Sequence, residues 1–283
     1  MKIPFTKAHG AHNDFLLTWR ALAPDPAAAD HATIARAICD RHTGIGADGW
    51  MLVDRSTDSD ADGAIQLFNS DGSPAEISGN GTRCAAALLI TGQAAAPCGT
   101  IRIRTGAGVK ILRLLQRSGL QFEFEMNMGR AEIRVDRLAL PLSTGTGDAT
   151  ILWVGNPQCA VPVEDFDFDW RAVGAEIERH PHFPNRTNVS FVKAVDEHTI
   201  DVRFWERGAG ETMSSGTGST GAAAMAVARG MARSPVRVLT PAGPIDLRFE
   251  GDVFLTGPAE IVAEGVFLAR DGLGGSTAPK IHT

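Results

Sequence analysis

The chain has 283 residues, enough for one large domain or two of about 140 residues each. Hydrophobic residues make up 43% and charged residues 21%, a balance that fills a core and excludes a disordered chain. Asp and Glu (33) outnumber Lys and Arg (27), and the net charge of −6 argues against a nucleic-acid groove or an anionic membrane surface as partner.

The first residues carry no apolar signal-peptide segment, and no later run reaches membrane-spanning length, so a soluble, cytoplasmic protein is expected. An amphipathic helix fits Ala32–His42. A strand fits Ala64–Asn69, followed by a Gly-rich loop and an Ala-rich helix over Thr82–Thr91 in which Arg83 is the one charge. Short strands follow at Thr100–Thr105, Val109–Leu115 and Leu120–Met126. A second amphipathic helix fits Trp170–Arg179. Then the order repeats: a strand at Thr199–Trp205, a Gly-rich loop, an uncharged helix over Ser219–Ala228, and strands at Val236–Thr240, Ile245–Phe249 and Val253–Leu255. A helix apolar on all sides belongs inside a core rather than on a surface. The tail from Arg270 to Thr283 is expected to be weakly ordered.

Short matches confirm the repetition at the level of residues. Ser78-Gly79-Asn80-Gly81-Thr82 resembles Ser215-Gly216-Thr217-Gly218-Ser219, and Ala85-Ala86-Ala87 matches Ala222-Ala223-Ala224. Thr105-x-Ala107-Gly108 matches Thr240-x-Ala242-Gly243, and Gly129-x-Ala131-Glu132-Ile133 matches Gly257-x-Ala259-Glu260-Ile261, all in the same order. The expected fold is therefore α/β (α+β): two pseudo-symmetric halves, each a mostly antiparallel sheet wrapped around a central buried helix. The expected partition is residues 1–129 with 259–283, and residues 130–258. A cleft between such halves is a natural ligand site.

The two Gly-rich loops each open a buried helix, whose free N–H groups and partial positive charge suit an anion. Ser78 and Ser215 also suit simple N-capping. Gly216-x-Gly218-x-x-Gly221 fits a dinucleotide fingerprint, but lacks the later acidic residue and the βαβ setting. Asn13, Asn69, Asn156 and Asn188 stand beside turn signals. The cysteines (Cys39, Cys84, Cys98, Cys159) are scattered, His180 and His182 flank Pro181 in a loop, and no metal site or disulfide framework is expected.

Phe68-Asn69-x-Asp71-Gly72-Ser73 with Gly79-Asn80-Gly81-x-Arg83-Cys84, and Glu206-Arg207-Gly208-Ala209-Gly210-Glu211-Thr212 with Gly216-Thr217-Gly218, resemble the two signatures of the diaminopimelate epimerase family. His9-Gly10, Asn13-Asp14-Phe15, Asp40-Arg41-His42-x-Gly44-x-Gly46-x-Asp48, Gly155-Asn156-Pro157 and Asn188 also fall where that family has motifs. The resemblance implies inversion at an amino-acid Cα without any cofactor, one group removing the proton and another returning it on the opposite face. It places Ser78 and Ser215 at the two catalytic positions, which are Cys in the family. It implies that Gly79, Asn80, Gly216 and Thr217 bind the α-carboxylate through helix N–H groups. Asn13, Asn69, Asn156, Asn188, Glu206 and Arg207 would bind the remaining polar groups, with Arg207 suited to a distal carboxylate. The family's His after Asn-Pro is Gln158 here, and its Gln after Gly-x-Asp is Gly49. Cys84 and Cys159 match non-catalytic positions and read as small buried residues.

A Ser hydroxyl is a far weaker acid than a thiol of pKa near 8.5, and each pKa unit costs about 1.4 kcal/mol. Two other readings therefore share these loops: a non-catalytic amino-acid or dicarboxylate binder, and a proton-shifting isomerase of the phenazine-biosynthesis type that recruits Glu206 or Glu76. The implied partners are a small amino acid with a distal carboxylate and a second copy of the chain as a homodimer, with no nucleic acid and no membrane.

Overall fold

Thr6, Ala8 and Gly10 are buried while Lys7 and His9 between them are half-buried, the alternation of a strand. In the computed structural model these residues belong to β1 (Lys2–Gly10), and the structure describes residues 1–27, 29–55, 60–91 and 99–269. Cys98 and the tail from Arg270 onward lie outside the described residues. The first run of elements is β1, β2 (Asn13–Trp19), α1 (His31–Cys39), β3 (Gly49–Arg55), β4 (Gly63–Asn69), β5 (Pro74–Ala75), α2 (Gly79–Thr91), β6 (Thr100–Thr105), β7 (Gly108–Ser118) and β8 (Gln121–Gly129). The second is β9 (Glu132–Leu142), β10 (Gly145–Trp153), β11 (Pro157–Pro162), α3 (Trp170–Glu178), β12 (Asn188–Asp196), β13 (Thr199–Glu206), β14 (Gly210–Thr212), α4 (Gly216–Ala228), β15 (Val236–Thr240), β16 (Gly243–Glu250) and β17 (Asp252–Leu268). Among the described residues the fold is mixed α/β, mostly strands with four α-helices and one 3-10 turn at Arg20–Leu22.

Pairings recur between the two runs. β1–β2 is antiparallel, β2–β3 parallel, β3–β4 antiparallel and β4–β6 parallel; β10–β11, β11–β12, β12–β13 and β13–β15 repeat that succession. Following hydrogen bonds through β1, β2, β3, β4, β6, β7, β8 and β17 returns to β1, so these strands close a ring. β17 is the link between the runs. Asp252–Thr256 pairs with β16 on one side, Val253–Glu260 with β8 on the other, and Glu260–Leu268 pairs with β1.

α2 fills the first ring, with every residue from Gly79 to Ile90 buried. α4 is buried from Gly216 to Ala226 and shares one hydrophobic core with α2. Full burial of side chains such as Leu89, Ile90 and Met225 contributes about 1.5–3 kcal/mol each. The amphipathic helices pack outside: α1 on Leu16, Trp50 and Leu52, α3 on Cys159, Val189 and Phe191. Asp30 and Asp169 cap their N-termini. α1 stops at Cys39, short of the expected His42, because the Asp40 carboxylate accepts the backbone N–H of His42 and Thr43 and turns the chain. β17 runs far beyond the expected Val253–Leu255; Gly257-Pro258 hid its continuation. Among the described residues no helix is long and apolar enough to cross a membrane.

Candidate functional site

The N-termini of α2 and α4 meet end to end. A Cβ built on Gly216 would lie 2.9 Å from the Gly79 Cα, and one on Gly79 would lie 3.1 Å from the Gly216 Cα. Only glycine permits this backbone contact. It places two partial positive ends together, an arrangement that an anion between them relieves. Ser78 Oγ accepts the Gly81 N–H at 3.1 Å, and Ser215 Oγ accepts the Gly218 N–H at 3.1 Å. Both serines therefore cap their helices as well as occupying equivalent places beside the junction.

A narrow cleft lies over this junction, lined by Asn13, Phe15, Asp48, Leu67, Asn69, Ala75, Ile77, Ser78, Asn156, Asn188, Glu206, Arg207 and Ala209. Of the residues singled out from sequence, Asn13, Asn69, Ser78, Asn156, Asn188, Glu206 and Arg207 thus come together on one surface. Gly79, Asn80, Ser215, Gly216 and Thr217 are not in its lining but adjoin it: Gly79 follows Ser78, and Ser215 is hydrogen-bonded to Glu206. The Asn80 amide is buried and donates to Asn13 Oδ1 (3.2 Å) and the Ser214 carbonyl (3.3 Å), so its side chain ties the two loops. Buried Arg83 donates to Asn80 Oδ1 and to the Pro258 carbonyl; desolvation pushes its pKa down to about 10. Thr217 Oγ1 accepts from Asn156 (3.3 Å) and Gln158 (3.1 Å), placing Gln158 against α4 rather than at the cleft surface.

The two serines differ in company. Ser215, 2% exposed, donates its hydroxyl to Glu206 Oε2 at 2.9 Å, and Thr212 donates to Glu206 Oε1 at 2.8 Å. Burial pushes the Glu206 pKa up to about 7, against the two hydroxyl donors that favour its ionised form; the Asp48 charge raises it further. Ser78 is half-buried, and among the described residues no titratable side chain is hydrogen-bonded to its hydroxyl. Asp48 accepts from Asn13 Nδ2 (2.7 Å), the Asp14 N–H (3.1 Å) and Arg41 (2.7 Å), yet desolvation and the nearby Asp14 hold its pKa above the usual carboxylate range.

The Glu206-Arg207-Gly208 turn is held by residues that sequence reasoning missed. Glu178, 2% exposed, accepts the Gly208 N–H and Trp205 Nε1, each at 3.0 Å, and an ion pair from Arg186. Arg186 also reaches Asp71 at 3.5 Å. At the end of an amphipathic helix, Glu178 reads in sequence as a solvated face, and no local pattern distinguishes it. Asn188 Oδ1 accepts the Arg207 N–H at 2.9 Å, and Asn69 Nδ2 donates to the Arg207 carbonyl at 3.3 Å. The Arg207 guanidinium is ion-paired with Glu76. Arg41 and Arg186 stand beside these loops too, Arg41 paired with Asp14 and Asp48 and Arg186 with Glu178 and Asp71. Cys84 and Cys159 are buried, and desolvation pushes their thiols up to about 12, which makes them inert packing residues.

The diaminopimelate epimerase profile matches residues 5–134 and 150–262. A diaminopimelate epimerase of Pelotomaculum thermopropionicum is 38% identical over 94% of this chain and 99% of its own length. Another, from Halothermothrix orenii, is 34% identical over 96% and 100%. Among solved structures, a hydroxyproline epimerase from Agrobacterium vitis with bound trans-4-hydroxy-L-proline has a TM-score of 0.75, covering 96% of this chain and 94% of its own at 16% identity. That likeness concerns the fold, whereas sequence identity over nearly the whole length carries the assignment: the chain belongs to the diaminopimelate epimerase family of amino-acid epimerases.

Proposed function

We propose that this chain binds diaminopimelate in the cleft and labilises the hydrogen on its Cα, with Ser78 and Ser215 on opposite faces. The observation that carries the reading is the contact of the α2 and α4 N-termini at Gly79 and Gly216 directly behind the cleft. The α-carboxylate sits against the N–H groups there, and the same partial charges stabilise the negative charge that develops as the Cα–H bond breaks. Glu206, Asn13, Asn69, Asn156 and Asn188 bind the polar groups around it, and Arg207 takes the distal carboxylate. The two jaws are residues 1–129 with 259 onward and residues 130–258, a division supported by the pairing of β9 with β10 and of the end of β17 with β1.

Proton transfer at the Ser215 face runs through Glu206. As the Cα proton passes to Ser215 Oγ, the serine's own proton passes to the Glu206 carboxylate, so a free alkoxide never forms. The return step reverses both transfers. Among the described residues Ser78 has no such partner, and its face is the slow one. Exchange of the Cα hydrogen with solvent therefore outruns inversion. Incubation with LL- and meso-diaminopimelate in D₂O, followed by NMR, tests this. Deuterium gain with retained configuration supports it, and inversion that keeps pace with exchange overturns it.

A further inference from the structure

We propose that Glu76 gates the ligand specificity of Arg207: its carboxylate competes with the distal carboxylate of the bound amino acid for one guanidinium fork, so a ligand without that second carboxylate does not displace it. The proposal rests on the reading that diaminopimelate binds in this cleft.

Arg207 is held at its backbone and at both terminal guanidinium nitrogens. Its backbone N–H is held by Asn188 Oδ1 at 2.9 Å, and its Nη1 donates to the Asn185 carbonyl at 3.3 Å. Its Nη2 donates to Glu76, which lies between the cleft-lining Ala75 and Ile77. The exposures of the pair are unequal: the Arg207 side chain is 13% exposed and the Glu76 side chain 37%. The cation is thus enclosed, whereas its carboxylate partner stands on the wet side and is resolvated readily when it swings away.

The position of Glu76 is constrained. It lies between β5 and α2, two residues before Ser78, and its backbone packs against Gly106. A Cβ on Gly106 would come within 2.9 Å of the Glu76 carbonyl oxygen and 3.0 Å of its Cα. The main chain cannot retreat there, so release of Arg207 falls to rotation of the Glu76 side chain.

The surrounding charges make that release necessary. Arg186 is already engaged by Glu178 and Asp71, and Arg41 by Asp14 and Asp48. With those arginines engaged and the carboxyls Glu206 and Asp48 lining the cleft, the Arg207 fork is the group suited to a distal carboxylate, and Glu76 must yield it. Once the α-carboxylate is held at the helix junction, the distal carboxylate acts at a high effective concentration and wins the exchange. Lysine has the same amino-acid end and no second carboxylate, so it leaves the Glu76–Arg207 pair intact.

Calorimetric titration of the unmodified chain and of Glu76→Gln with meso-diaminopimelate and with L-lysine, each at low and high salt, tests the gate. The expected result is diaminopimelate binding about fivefold tighter to Glu76→Gln, about 1 kcal/mol at 1.4 kcal/mol per tenfold, with lysine binding unchanged. Salt should weaken diaminopimelate binding more steeply in the variant. There binding creates an ion pair, whereas in the unmodified chain it exchanges one for another. Equal or weaker diaminopimelate binding by Glu76→Gln, with its melting temperature preserved, overturns the gate and makes the pair a fixed link across the cleft. Failure of both proteins to bind diaminopimelate overturns the ligand reading itself, and the gate with it.

Discussion

Glu206→Gln separates the stability of this site from its chemistry. The native carboxyl titrates at about 7, against an ordinary value of 4.5, because it is buried and close to Asp48. Between those two pH values the folded chain holds a proton that the unfolded chain has lost. Stability therefore falls as pH rises, by about 1.4 kcal/mol per pH unit and about 3 kcal/mol across the window. Gln has nearly the same shape and no charge, so the variant lacks this slope. Its amide oxygen still accepts one of the two hydroxyls, Ser215 or Thr212. Urea unfolding from pH 5 to pH 8 should give nearly equal stabilities at pH 5 and a more stable variant at pH 8. The expected advantage is up to about 3 kcal/mol, less about 1 kcal/mol for the hydrogen bond it makes less well. Deuterium exchange should move the opposite way. In the unmodified chain exchange rises with pH through about 7, as the base ionises, and in Glu206→Gln it is lost. Parallel stability curves for the two proteins would show that Glu206 ionises as an ordinary surface carboxyl. Unchanged exchange in the variant would remove Glu206 from the proton path.

Restoring a thiol at both faces with Ser78→Cys and Ser215→Cys should raise inversion of diaminopimelate by orders of magnitude, since each pKa unit between hydroxyl and thiol is about tenfold in the basic species. NMR read for deuterium and configuration on the same sample checks it; a double variant that binds ligand but stays silent would refute the thiol-acidity reasoning. Arg207→Ala should cost about 1.5–3 kcal/mol of diaminopimelate affinity by calorimetry and leave lysine binding unchanged; loss for both ligands would make Arg207 structural. Gly216→Ala forces a methyl to within 2.9 Å of the Gly79 backbone. It should destabilise the chain by about 1–3 kcal/mol in urea unfolding, and equal stability would mean the helix ends are not in contact.

The Gly-x-Gly loops, the uncharged helices that follow them and the repeated order of motifs were legible because each rests on local chemistry. A helix without charge has no solvated face, and Ser before Gly-x-Gly caps whatever helix it opens. β1, β9 and most of β17 were not legible. β1 and most of β17 pair with partners far along the chain, such as Lys2 opposite Leu268, Gly257-Pro258 breaks the local pattern of β17, and β9 forms a local hairpin with β10 that exposed, charge-bearing residues hid. The candidate residues at the cleft were likewise named from motif resemblance, but their roles were not. Only the tertiary structure set Glu206 beside Ser215 and, among the described residues, left Ser78 without an ionisable partner. It also enclosed Glu178 to hold the Gly208 turn and put Glu76 on Arg207. A carboxylate's sequence neighbours do not fix its desolvation or its choice of partner, which packing sets whether the partner is eight residues away, as Arg186 is from Glu178, or 131, as Arg207 is from Glu76, and so sequence names the ionisable residues while packing decides which of them carry a proton.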